Sequence, residues 1–513
     1  MNEEFESASI TSNVIHVDVI IVGAGLSGIS AAYHLQKYCP AKTYLILEGR
    51  DAMGGTWDFF RYPGVRSDSD MYTLGYSFEP WNGGKMFSEG PEISDYVNRT
   101  AAKYDITKNI RFGRKVKRAS WSSVESEWLI EVEASDSKTP AYYSCNFMFS
   151  CCGYYDYEEA YQPEFRNRDA FEGEFVHPQF WPEGLDYKDK EVIVIGSGAT
   201  AVTLLPAMAG STRHITMLQR SPTYILPAPD TDIVAKYIGP FLPKKVLHAI
   251  NRWKYITLVT WVLKLSKWKP GYVRKALRRA ARQTLGLDYD VDTHFKPSYQ
   301  PWDQRLCADP DGLFYQSIAD GDASVVTDHI EEFTRTGIRL ESGRTLKADI
   351  IVSATGLKLI ALGGMDISVD GKPFVTGESF SYKGMMFSGL PNFVQCFGYA
   401  QAGSYTLKVD LTCQYACRLI NLMDTKQYDY CVPENDDPNM EVEDMLGVLS
   451  SGYVQRAAHL FPKVGKKAPW KRNENYFLDL FETRFSPVQD EGLAFYCAGN
   501  ASVESAPQKV SAA

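Results

Sequence analysis

Two short apolar runs, each closed by glycines and followed by a helical period, mark the chain. The first is Val19-Ile20-Ile21-Val22, then Gly23-Ala24-Gly25-Leu26-Ser27-Gly28; the second is Val192-Ile193-Val194-Ile195, then Gly196-Ser197-Gly198-Ala199-Thr200-Ala201. Unbroken apolar strands belong to parallel sheets buried on both faces. Residues 14–50 therefore predict strand, loop, a helix from Ile29 to Tyr38 ended by Pro40, and the strand Tyr44-Leu45-Ile46-Leu47. A second unit of this kind fills 190–220. Residues 110–153 predict an antiparallel meander, with alternation in Glu127-Trp128-Leu129-Ile130-Glu131-Val132 and a last strand Phe147-Met148-Phe149-Ser150. A strand near 346–356 is expected to carry the chain back towards the first unit.

The fold class is α/β: two dinucleotide-binding, Rossmann-like domains with a helical insert. The expected segments are 1–160 (first domain, first part), 161–230 (second domain, first part), 231–328 (insert), 329–380 (second domain, second part) and 381–513 (first domain, second part). The first domain would be discontinuous, with the second inserted into it.

Each loop carries the same physics. The first glycine makes the tight turn, the second admits a pyrophosphate, and the third position stays small so that helix and strand pack closely. The pyrophosphate rests on amides at the helix N-terminus. Candidate contacts are Gly23, Gly25 and Gly28 at the first site, and Gly196, Ser197, Gly198 and Thr200 at the second. The sites differ at the end of the next strand. Twenty residues past Gly28 stands Glu48, a carboxylate that accepts from ribose hydroxyls and repels a 2′-phosphate. Nineteen past Ala201 stand Arg220 and Ser221, which suit a 2′-phosphate. The first site is therefore assigned to FAD and the second to NADPH. A protein that holds two dinucleotides passes a hydride between them.

Bulk properties narrow the picture. A chain of 513 residues holds more than one domain, and a net charge of −9 gives no reason to expect nucleic acid. The start, MNEEFESASITSNVIHV, is acidic and lacks the apolar core of a secretory signal. No run of about 18 apolar residues exists to span a bilayer. The cysteines are scattered, with no C-x-x-C and no paired metal spacing, as expected for free thiols in a reducing compartment and for a protein without a metal. The expected location is cytoplasmic. One stretch departs from this pattern. Between Asp232 and Asp288 there is no acidic residue, while Lys244, Lys245, Lys264, Lys267 and others interleave with Trp253, Trp261 and Trp268. The segment 234–287 reads as helical. It is either an insert packed on the second domain with a solvated basic face, or a peripheral contact with an anionic membrane.

Between the fingerprints, Phe171-Glu172-Gly173-Glu174-Phe175-Val176-His177-Pro178-Gln179-Phe180-Trp181-Pro182 fits F-x-G-x-x-x-H-x-x-x-W-P. Here the chain resembles the Baeyer–Villiger monooxygenases, flavoproteins of class B. Gly54-Gly55-Thr56-Trp57 and Arg61 to Asp68 resemble the family's second FAD segment. Ser67 to Tyr72, Pro301 to Cys307, and Tyr405 to Asp410 are similar to the subgroup typified by the ethionamide-activating monooxygenase of mycobacteria. The resemblance implies that NADPH reduces FAD, that reduced flavin takes up dioxygen as a peroxide, and that this attacks a ketone to give an ester or lactone. Sulfides are a second expected substrate class. It implies Arg305 as the catalytic cation and Asp68 as the acid that positions it. It also assigns Thr56, Trp57, Arg66, Asp68 and Val116 to cofactor binding. His177 and Trp181 are implied as conformational elements rather than acid–base groups. Gln304 departs from the family, which often has a lysine there for the 2′-phosphate; the NADPH preference then rests on Arg220 and Ser221. Two further readings are a heteroatom (S or N) oxygenase and a peripheral membrane flavoprotein without oxygenase activity. The sequence leaves the physiological substrate and the oligomeric state open.

Overall fold

The structure is a computed structural model that describes residues 14–304, 306–399, 403–444, 450–497 and 508–510. Two sheets organise it. In the first, Ile15–Val22 runs parallel to Tyr44–Leu47 on one side and Ala141–Ser150 on the other, with Ile20 opposite both Leu45 and Met148. Val19, Ile20 and Ile21 are buried on both faces, which accounts for the unbroken apolar run. The meander follows as Arg114–Ser122, Glu127–Ala134 and Ala141–Ser150, all antiparallel. Trp128, Ile130 and Val132 point into the core, and the rings of Trp121 and Trp128 pack edge to face. The second sheet is parallel throughout, in the order Ala323–Thr327, His214–Gln219, Glu191–Ile195, Ile350–Ser353, Glu174–Val176.

Several sequence expectations shift. The first helix begins at Leu26, not Ile29, because Gly25 serves as its N-cap. The strand Glu174–Val176, inside the F-x-G-x-x-x-H motif, forms an edge of the second sheet, with Val176 opposite Val352. The strand Ala323–Thr327 also joins that sheet, although its residues were expected in the insert. Asp366–Val369, expected in the second domain, pairs instead with Arg118 to Trp121 of the first sheet. Short, half-polar edge strands carry too weak a period to reveal which sheet they join. The strand Ile350–Ser353 likewise stays in the second sheet, and the return to the first comes after it.

Residues 234–287 are helical as expected, with long helices at Lys244–Trp268 and Pro270–Leu285. The former docks on the first unit. Arg252, buried, donates to the carbonyls of Tyr72 at 3.0 Å and Gly75 at 2.8 Å, satisfying the open end of the short helix Met71–Leu74. Asp232 ties the same helix down by pairing with Lys254 and accepting from the Tyr255 hydroxyl at 2.5 Å.

Helix Tyr405–Lys426 packs on helix Leu26–Tyr38 and carries the other subgroup motif inward. Lys408 meets Asp479 at 3.1 Å with both side chains almost wholly buried, and the Tyr399 hydroxyl donates to the same carboxylate at 2.6 Å. His34 Nε2 lies 3.1 Å from Asp410. Breaking a buried pair leaves one charge without compensation. Lys408→Met should therefore destabilise the protein by roughly 3–5 kcal/mol, and adding Asp479→Leu should restore most of it. Urea unfolding of the single and double variants checks this; equal losses in both would remove the pair as the cause.

Candidate active site

Both glycine loops line one cleft of about 1730 Å³. The sequence folds this way because each loop leaves a buried central strand at its carboxyl end, where the following helix starts. Gly23 has φ +102° and Gly196 φ +132°, and a side chain at either would strike the carbonyl of Cys151 or Ala354 on the adjoining strand end. At Gly28 a Cβ would lie 1.9 Å from the Gly23 carbonyl oxygen, which is the close helix–strand approach expected there; Ala201 fills the equivalent place and is fully buried. Gly198 differs: its backbone is ordinary extended, and a Cβ would meet nothing within 4 Å. The space above it is room for a ligand.

The helices after the loops, Leu26–Tyr38 and Ala199–Ala209, have glycine N-caps with no side-chain cap. Their first amides are left to an anion. Glu48 is buried at its strand end. It accepts from the Ala24 amide at 2.7 Å and the Arg50 amide at 2.9 Å. Burial raises its pKa above the usual range, against those two bonds. Gly54 donates its amide to the Ala24 carbonyl at 3.1 Å, so the second glycine pair abuts the first. Thr56 and Trp57 follow on the cleft wall, with Thr56 Oγ1 3.1 Å from the Tyr157 hydroxyl. Burial pushes Tyr157 up to about 12, so it remains a neutral hydroxyl. Val116 lines the same end.

At the second loop Ser197 donates to the Ser221 carbonyl at 2.9 Å, joining the loop to the strand end that bears Arg220. Ser197, Gly198, Thr200, Arg220 and Ser221 all line the cleft, and Arg220 is exposed to it without a carboxylate ion pair among the described residues. Arg66 and Asp68 line the same cleft, and Arg66 donates to the Ala308 carbonyl at 3.0 Å. Arg305 lies outside the described residues; its neighbours Gln304 and Leu306 line the cleft. His177 also reaches the cleft. Its Nδ1 accepts from the Gln179 amide at 3.1 Å, and burial holds the ring below the usual histidine range, hence neutral. Trp181 packs near Tyr187 on the core of the second sheet.

Two cleft residues escaped the sequence reading: Arg50 pairs with Asp58 at 2.6 Å beside Glu48, and Tyr157 reaches Thr56 from far along the chain. Tyr405, the first residue of the third subgroup motif, also lines the cleft, with its hydroxyl 3.0 Å from the Cys396 carbonyl. Only Arg50, two residues past Glu48, had a local signal.

Two uncapped helix starts, open space above Gly198 and a buried carboxylate at the end of the strand after the first loop give one cleft room for two dinucleotides. Comparisons agree. A model of the NAD(P)-binding Rossmann-like domain matches residues 21–97. The FAD-containing monooxygenase EthA of Mycobacterium tuberculosis (strain ATCC 25618 / H37Rv) is 47% identical over 481 residues, 94% of this chain and 98% of its own. The chain belongs to the FAD-containing monooxygenases. The probable FAD-binding monooxygenase AlmA of Acinetobacter baylyi is 46% identical over 465 residues, 90% of this chain and 93% of its own. In fold, this monooxygenase is similar to oxidized steroid monooxygenase bound to NADP (TM-score 0.73, 20% identity, 94% of this chain and 99% of that one). It is also similar to an open crystal structure of cyclohexanone monooxygenase (TM-score 0.70, 19% identity, 82% and 91%). FAD and NADPH are its cofactors, and its two-sheet plan is that of these flavoenzymes.

The two cradles should separate by mutation. Gly198→Val fills the second without backbone strain, so FAD content should persist while NADPH no longer reduces the flavin. Glu48→Ala should instead weaken FAD binding by about ten- to a hundredfold, the value of one or two bonds to a charged group. Flavin fluorescence titration and anaerobic reduction read the two effects; a Gly198→Val protein reduced by NADPH at the normal rate would refute the cradle.

Proposed function

We propose that this monooxygenase carries out Baeyer–Villiger oxidation: a ketone, O2, NADPH and H⁺ give an ester or lactone, NADP⁺ and water. The same site would oxidise sulfides. The observation that carries the reading is one cleft onto which both glycine loops open and which Arg66 and Asp68 also line. The Phe171 to Pro182 motif and the relatives' names point the same way. FAD, when bound, supplies the oxygen-activating chemistry. The chain supplies placement and charge.

In this reading Glu48 holds the flavin's ribose, the Gly23 loop its pyrophosphate, and Arg220 with Ser221 the 2′-phosphate of NADPH. Arg305 is the fixed cation that stabilises negative charge on the reacting oxygens, and Asp68 positions it. His177, neutral and held by the Gln179 amide, orients the segment between the sheets and moves no proton. The cleft's apolar wall, including Leu226, Val259, Val262 and Leu407, keeps water from the reacting centre. We also read the FAD unit as discontinuous. We also place the enzyme in the cytoplasm, with 234–287 as either a packed helical insert or a peripheral membrane contact. No described helix is long and apolar enough to cross a membrane.

Arg305→Ala removes a cation worth about 2.7–4 kcal/mol as an oxyanion donor. FAD should still bind, ester should fall by a hundredfold or more, and NADPH oxidation should continue with release of hydrogen peroxide. Arg305→Lys should rescue poorly, because an ammonium cannot reproduce the planar fork. The ratio of ester formed to NADPH consumed decides it; a wild-type ratio in Arg305→Ala would remove the assignment.

Arg220→Ala should raise KM for NADPH about ten- to a hundredfold and leave KM for NADH nearly unchanged. Equal changes with both nucleotides would show that Arg220 does not read the 2′-phosphate.

A further inference from the structure

Helix Lys244–Trp268 is inside out. Its inner face buries His248, Asn251, Arg252 and Ser266 along with Ile256 and Leu263. Its outer face, one stripe at helical spacing, carries Val246, Ile250, Trp253, Trp261 and Trp268; Trp261 is 67% exposed and Trp268 75%. A surface helix of a soluble protein shows the reverse. The apolar surface continues onto helix Tyr476–Phe485. The ring of Trp253 stacks on Phe477, and Phe481 is 66% exposed. The acids of that second helix turn inward: Asp479 is buried against Lys408, and Glu482 is half-buried against Asn473. On the other flank stand exposed Ile233, Tyr237 and Phe241.

The rim of this surface is cationic. Lys236, Lys244, Lys245, Lys264, Lys267 and Lys269 are exposed, and no acid occurs from 233 to 287 in a chain whose net charge is −9. A broad tryptophan-bearing apolar face set among these lysines is complementary to anionic headgroups over acyl chains. The same helix is also a wall of the cleft. Tyr255, Ile256, Val259 and Val262 line it, and Leu258 lines it while being half exposed.

We infer that this face lies on an anionic lipid surface and that lipophilic ketones enter the cleft from the bilayer past Leu258. The entry route rests on the Baeyer–Villiger reading; the lipid contact does not. The FAD-loaded enzyme is to be sedimented with vesicles of phosphatidylcholine, with and without phosphatidylglycerol, at low and high salt. It should pellet with the anionic vesicles at low salt and be released at high salt, because exposed charge is screened. Lys264→Glu/Lys267→Glu should weaken the partition at least about a hundredfold, and Trp261→Ser/Trp268→Ser at least about tenfold. Both pairs are exposed and none of the four residues lines the cleft, so oxidation of butanone in solution should be unchanged. Oxidation of 2-tridecanone carried in the anionic vesicles should fall with the partition. Failure to pellet at low salt, or pelleting indifferent to both variants, overturns the lipid contact. So does a dimer that the tryptophan variants split while vesicle binding persists, since the face would then be covered by a second copy. Pelleting with no ester from either ketone overturns the Baeyer–Villiger reading and the entry route while the lipid contact stands.

Discussion

A hydride passes only between rings in contact, and each dinucleotide needs its pyrophosphate on a helix start at the carboxyl end of a parallel sheet. Two such sheets must therefore turn the same ends to one cleft. Much of the rest follows from this. The loop glycines approach strand-end carbonyls so closely that Cys151 and Ala354 leave no room for a side chain at Gly23 and Gly196. Both helix starts are left without side-chain caps. An anion bound at those amides would stabilise the folded chain, which links ligand loading to stability.

Holding that arrangement takes more than apolar packing. Lys408 with Asp479 and His34 with Asp410 place polar pairs in the interior between helices distant in sequence, and Lys383, itself buried, meets the partly exposed Asp490. Arg252 reaches across to the carbonyls of Tyr72 and Gly75. Buried pairs are a poor source of net stability, because desolvation offsets most of the attraction. Their geometry, however, is exacting. A helix that slid by one turn would strand a charge, so the pairs fix register where leucine contacts would tolerate slippage.

The sequence showed the parts of the site that are local. Strand, loop and strand-end acid or arginine lie within about thirty residues, so Glu48 and Arg220 could be placed by spacing alone, and both loops do open on the cleft. Arg66, Asp68, Thr56, Trp57 and Val116 came from resemblance, and they too line it. What escaped was long-range: Tyr157 beside Thr56, the sheet joined by Asp366–Val369, and the role of Arg252. Hydrophobic periodicity reports which face of an element is apolar. It does not report which face is buried, and the basic segment keeps a tryptophan stripe outside, opposite its buried face.

That opposition is not a by-product of packing. The inner face of Lys244–Trp268 must keep polar groups among Ile256 and Leu263, because Arg252 has to meet backbone carbonyls at the end of Met71–Leu74 and Ser266 has to accept from the Trp302 indole at 3.0 Å. Nothing in that requirement calls for tryptophan outside. Glutamate or lysine at 261 and 268 would satisfy the helix equally and cost no exposed apolar area. Instead the outer face carries three indoles, and the acids of the neighbouring helix turn inward and leave its phenylalanines out. An exposed apolar face that folding does not need, rimmed by charge of one sign and forming the outside of a cleft wall, is a surface specified by what it touches.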